Sequence, residues 1–244
     1  MQPFSSPPDG RPENLEADRR LALYRRAARA LAAFYARFTA PFCGDCLEVT
    51  RRHHRTDPRA DVDLVHGQFP GCCHAGVGDA LWVPRSGDEG RFPPELAQAM
   101  ERAREGLAAC RGKAGRYAVR ERRTGTVATG VGCGHLGPKG CRLGELKGPL
   151  CISYLCEPVR EALAAAVGWD LLGQDTDDFG GALKALRAVI CAGLVEAEAE
   201  VARMEAGLRA MEGRLSSREA ATGETAYGRY RSSENGSNPS AFTR

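Results

Sequence analysis

The sequence predicts a mainly α-helical chain. Its helices frame an irregular cysteine-rich metal-binding core, with a small β-hairpin and a long C-terminal helix. Three observations carry that expectation. Apolar residues recur at spacings of three and four in several separate stretches. Ten cysteines occur among 244 residues, eight of them in turn-rich segments without sustained periodicity. A run of 3-4-3-4 spacing extends through three heptads near the C-terminus.

The elements follow in order. Residues 1–12 are rich in Pro, Ser and Gly and read as a disordered lead-in. From Glu13 to Phe38, Leu21, Tyr24, Ala28, Leu31, Tyr35 and Phe38 share one helical face, and Pro41 ends the helix. Arg19, Arg20, Arg25, Arg26, Arg29 and Arg37 cover much of the remaining surface. A solvated face is the plain reading of these arginines, and a surface for phosphate or an acidic partner is the functional one. From Phe42 to Gly90 the pattern dissolves into turns and cysteine pairs. A helix is expected from Pro93 or Pro94 to Cys110, because proline suits the first helical position. Residues 116–120 and 126–129 can pair as a hairpin around Thr124-Gly125. Residues 130–156 are again cysteine-rich, and a short helix is expected from Pro158 to Leu172.

A long helix is expected from Asp177 to Ser216. Leu194, Ala197, Val201, Met204, Leu208, Met211 and Leu215 form its seam. The seam packs either on the first helix or against a second copy in a homodimer, and three heptads containing an alanine favour the first. Residues 217–244 read as a disordered tail, so truncation near residue 216 is expected to be silent for metal binding. The organisation is then a lead-in over 1–12 and a helix plus cysteine-rich domain over 13–175. The heptad helix covers 176–216 and the tail 217–244.

Composition narrows the function. The 34 basic and 31 acidic side chains leave a formal charge of +3, which argues against a nucleic-acid binder driven by charge. The N-terminus lacks the basic and apolar regions of a signal peptide, and no run approaches the ~18 apolar residues of a membrane span. A cytoplasmic location is expected, where thiols stay reduced and clustered cysteines serve metals or redox chemistry before disulfides.

Two groups supply eight candidate ligands: Cys43, Cys46, Cys72 and Cys73, then Cys133, Cys141, Cys151 and Cys156. Gly44, Gly71, Gly132, Gly134 and Gly140 lie among them and allow the sharp turns that converging thiolates need. Soft thiolates select zinc or iron–sulfur iron, and eight of them fill two four-coordinate sites. His74 and His135 are alternative ligands in a Cys3His arrangement. Cys110 and Cys191 lie on apolar helical stripes and read as small buried hydrophobes. Cys156 precedes a helix start, where the helix dipole is expected to lower its pKa.

Other motifs are set aside. Cys43-Gly-Asp-Cys46 follows a helix rather than a strand, and Leu47 to His54 shows no helical stripe, so a thioredoxin-type dithiol is disfavoured. Gly132-x-Gly134-x-x-Gly137 runs straight into Pro138, so no phosphate-binding helix opens there. His53-His54 sits among Arg51, Arg52 and Arg55 as a basic loop.

The segment from Cys133 to Cys156 resembles the C-terminal signature of the YkgJ-like cysteine-cluster family, described as a zinc- or iron-chelating domain. Leu136, Gly140-Cys141, Lys147, Pro149, Cys151 and Cys156 follow that family's order. Its N-terminal signature is CxxCxxCC. Here Cys72-Cys73 match the closing pair, His66 and Phe69 stand at the two earlier positions, and the CxxC pair lies upstream at Cys43 and Cys46. The resemblance spans residues 43–156 and implies metal binding without naming a reaction. The expected function is therefore a metal-binding protein holding zinc or iron–sulfur clusters, with no reaction assigned. The alternative is a zinc-stabilised interaction or regulatory module that presents its basic and heptad helices to a protein or nucleic-acid partner.

Overall fold

The computed structural model describes residues 12–53, 62–67, 94–108, 116–131, 136–137, 140–141, 143–153, 155–167 and 180–233. Most of these are helical. Helix α1 (Pro12–Phe38) is the spine. Tyr24, Ala28, Leu31 and Phe38 of the expected stripe are buried, and the stripe is wider than the heptad spacing implied, because Leu23, Ala27 and Phe34 are buried too. Two short helices follow, α2 (Ala40–Gly44) and α3 (Cys46–His53). Pro41 lies at the start of α2, where its missing N–H is no loss.

The long C-terminal helix expected over 177–216 is two helices. Helix α7 (Gly180–Cys191) ends at Ala192-Gly193, and α8 (Leu194–Thr222) starts after an extended Gly193. Lys184 pairs with Glu200 across the break at 3.4 Å, so α7 and α8 form an antiparallel hairpin.

The seam closes within the chain. Arg26 of α1 meets Glu205 of α8, and Arg37 meets Ser216, so contacts advance together and the two helices run parallel. Ala197, Val201, Met204, Met211 and Leu215 are buried along this contact. Two apolar clusters result. The first joins Leu23, Tyr24 and Leu31 of α1 to Leu186, Val189 and Ile190 of α7, to the start of α8, and to Leu96 and Met100 of α4 (Pro94–Ala108). The second joins Phe34 and Phe38 to Phe42 of α2, Val49 of α3, and Met211 and Leu215. Val159 and Leu163 of α6 (Glu157–Val167) complete it. Helix α5 (Pro149–Ser153) packs against α1 and α7, with Ile152 in the first cluster.

The tail expected from residue 217 is structured as far as Ser233. Helix α8 runs on to Thr222, Gly223 turns the chain at φ +68°, and α9 (Ala226–Ser233) returns to the second cluster. Thr225 caps α9, its Oγ1 accepting the Gly228 N–H at 2.9 Å. Glycine after a helix and threonine before the next are ordinary stop and start signals. The polar composition around Tyr227 and Tyr230 leaves no apolar stripe to mark the helix in the sequence.

The expected hairpin is present as β2 (Arg116–Glu121) and β3 (Val127–Val131), antiparallel with Arg120 opposite Val127. Gly125 takes φ +71° in its turn. A third strand, β1 (Val62–His66), pairs antiparallel with β2 and makes the sheet order β1-β2-β3. It was invisible in the sequence because five residues with one irregularity in register carry too little alternation. Strands β4 (Leu136–Gly137) and β5 (Gly140–Cys141) make a second, two-stranded pairing.

The arginine-rich face of α1 is largely engaged inside the chain. Arg20 donates to the Val189 carbonyl at 2.7 Å and pairs with Glu16, Arg25 and Arg29 both reach Glu145, and Arg26 grips Glu205 with two nitrogens. Hydrogen bonding to Arg26 holds the Glu205 carboxyl below the usual carboxylate range. The folded state therefore favours the ionised form. Its contribution is present above the ordinary glutamate pKa and is lost as pH falls through the lowered value. Glu205→Gln is expected to destabilise by about 0.5–1 kcal/mol at pH 7, given a half-exposed arginine partner. Urea unfolding at pH 7 and near pH 3 checks this, since the difference should close at the lower pH.

Candidate metal centre

Among the described residues of the cysteine region, those between Cys141 and Cys151 are anchored by several side chains of the surrounding helices. Residues 143–149 form a short 3-10 turn (Gly144–Leu146) followed by the start of α5. Leu143 and Leu146 are buried. Three polar anchors from the helices hold this segment, two of them through its backbone carbonyls. Tyr24 Oη donates to the Lys147 carbonyl at 2.5 Å. Arg104, itself buried, donates through Nε and Nη2 to the Leu146 carbonyl at 3.0 and 2.6 Å. Arg25 and Arg29 hold Glu145 at 3.2 and 2.9 Å. Burial pushes the Tyr24 hydroxyl far above its ordinary value, against the opposing charge of Arg104, so it stays a proton donor.

Cys151 lies on α5, half-buried beside the first cluster, and near enough to Tyr24 to raise that hydroxyl's pKa further. Cys156 lies at the other end of the same short stretch, half-buried against the second cluster. Its carbonyl accepts the Arg160 N–H at 3.0 Å, which makes Cys156 the N-cap of α6. The expected lowering of its pKa is reversed. Burial raises the thiol, and the hydrogen bond from the Val159 backbone and the charge of Arg160 offset this only in part. The helix terminus acts in the expected direction, but desolvation of the charged form is the larger effect.

Cys43 is exposed near the end of α2, and Cys46 is half-buried as the first residue of α3. The absence of a helix after Cys46, expected from sequence, is corrected: α3 begins there. Its apolar face is short, and Val49 is its buried contribution to the second cluster. Cys191, expected to be buried, is exposed, because α7 ends at that residue and Ile190 takes the inward position.

Cys141 lies in β5 opposite Leu136. Cys72, Cys73, Cys110, Cys133, His74 and His135 lie outside the described residues, as does the Gly132–Gly134 part of the glycine motif. Among the described residues no three Cys, His, Asp or Glu side chains converge as a metal site requires. A four-thiolate site in this chain would therefore take at least two ligands from Cys72, Cys73, Cys110, Cys133 and Cys141. The thiol donors themselves suit zinc or iron–sulfur iron. Sequence reasoning missed Tyr24 and Arg104 as anchors. Both sat on helical stripes or faces and gave no sign of a partner elsewhere in the chain.

No protein-family model matches this chain, and no curated protein or solved structure matches it. The likeness to the cysteine-cluster family rests on the quoted residues alone. No helix among the described residues is long and apolar enough to cross a membrane.

Proposed function

We propose that this chain is a metal-binding protein of the cysteine-cluster type. Cys43, Cys46, Cys72, Cys73, Cys133, Cys141, Cys151 and Cys156 hold zinc or iron–sulfur clusters, with His74 and His135 as alternative ligands. The observation that carries the reading is the anchoring of residues 143–149. A buried arginine and a buried tyrosine bind backbone carbonyls between two cysteines of the quartet, and Glu145 in the same turn pairs with two arginines of α1. Such support suits ligands that must be held in place before a metal binds, because outer contacts orient the inner donors. Zinc in such a site would tie irregular loops together; iron–sulfur clusters would carry electrons. The resemblance to the YkgJ-like family points the same way. A cytoplasmic setting, which keeps thiols reduced, is part of the proposal.

Elemental analysis of the chain purified without oxygen tests it. About two zincs, or several irons, per chain are expected for eight thiolates. Cys151→Ser and Cys156→Ser should each lose at least one metal equivalent, whereas Cys191→Ala should keep the full complement. Absence of both metals, or full metal content in the serine variants, overturns the reading.

A further inference from the structure

We infer that α9 is a strap that positions the Cys43-Gly44-Asp45-Cys46 segment, with Tyr227 as its positioning residue. The argument starts from Asp45, which lies between the two thiols. Its carboxylate accepts the Tyr227 hydroxyl at 2.5 Å across 182 residues of sequence. Burial and the nearby Asp45 carboxylate raise the Tyr227 hydroxyl's pKa, which keeps it the donor.

The contact is repeated on both sides. Phe42, the residue before Cys43, is buried and meets the Tyr227 ring edge-on at 4.9 Å and the Tyr230 ring at 5.5 Å. Tyr230 Oη donates to the Val49 carbonyl of α3 at 3.4 Å. One eight-residue helix therefore touches the residue before the first thiol, the residue before the second, and the helix that the second begins.

Its own placement is also secured. Arg218 of α8 donates to the Ala165 and Ala166 carbonyls at the end of α6 at 3.0 and 2.7 Å. This fixes the end of α8 just before the Gly223 turn. Arg229 of α9 pairs with Glu224 in that turn at 3.3 Å. A helix of five residues such as α2 has little stability of its own, since helix nuclei this short are unfavourable in water. The strap supplies the order that α2 lacks. The inference concerns the same CxxC loop as the proposed metal centre, but it holds whether that loop binds metal or serves as a dithiol.

Alkylation of the full-length chain by iodoacetamide tests it. Peptide mass spectrometry reads the Cys46 rate against that of Cys191, which is exposed on α7. Tyr227→Ala and truncation after Thr222 should raise the Cys46 to Cys191 ratio about tenfold, a local opening of about 1.4 kcal/mol. Tyr227→Phe and Asp45→Ala should each raise it about threefold. The double variant should match either single one, because they break one hydrogen bond. Asp45→Asn keeps an acceptor oxygen and should stay close to the parent. Unchanged ratios in Tyr227→Phe and Asp45→Ala, or additive effects in the double variant, overturn the inference. Parent and variants are compared after chelation of any metal, because a metal on Cys46 would itself shield the thiol; metal content measured before chelation then reports on the metal reading separately.

Discussion

Phe42→Ala is expected to remove about 3–5 kcal/mol of folding stability, the range for deleting a buried aromatic ring. Phe42 is 1% exposed and belongs to the second cluster. Its ring touches Tyr227 and Tyr230 of α9, and it shares the cluster with Phe34, Phe38, Val159 and Leu163. The cavity would open where α1, α2, α6 and α9 meet, four elements that cannot all move inward together. Partial collapse puts the loss toward the upper half of the range. Chemical unfolding measures the loss, and thermal unfolding should fall by roughly 10 °C for a chain of this size. Phe42→Leu, which keeps much of the volume, should lose less than half as much. If Phe42→Ala unfolds like the parent, the second cluster is not a cooperative part of the fold.

Arg104→Met is expected to destabilise by about 2–3 kcal/mol. Methionine replaces most of the volume, so the loss isolates the polar anchor rather than a void. The charged guanidinium gives two donors to one carbonyl, and a charge-assisted bond is stronger than a neutral one. Without it the Leu146 carbonyl is left buried without its guanidinium donors. Arg104→Lys keeps a charge but not the planar fork, and should fall between the parent and Arg104→Met. Hydrogen exchange should accelerate in residues 143–149 while the α7–α8 hairpin stays protected, which locates the effect. Metal content should fall with it if the anchor prepares the site. Stability equal to that of the parent would show that the turn is held without the Arg104 anchor, by the burial of Leu143 and Leu146 and the contacts of Tyr24 and Glu145.

Periodicity made the helices legible. Residues 13–38, 94–108 and 194–216 each carry an apolar face, and an amphipathic helix has one economical way to bury it. The hairpin was legible because Thr124-Gly125 supplies a turn between two short apolar runs. The cysteines stood out by chemistry and clustering. The third strand did not, because β1 gains its identity from pairing with β2 rather than from its own alternation. Helix α9 did not because its apolar contribution, Ala226 and two tyrosines, is too sparse to form a stripe among Ser, Gly and Arg.

The sequence by itself determined where α1 and α4 lie, that a helical seam at 194–215 must be covered, and which thiols are candidates for metal. Only the tertiary structure decided what covers the seam. It also decided that the basic face of α1 is occupied by Glu145 and Glu205, and that the presumed tail returns to the CxxC loop. The physical reason is the range of the interactions. Helical faces follow from neighbours three and four residues apart. The anchors from Tyr24 to Lys147, Arg104 to Leu146, and Tyr227 to Asp45 join positions 123, 42 and 182 residues apart. A hydrogen bond over such distances leaves no pattern along the chain, and each exists only because packing brings its two ends together.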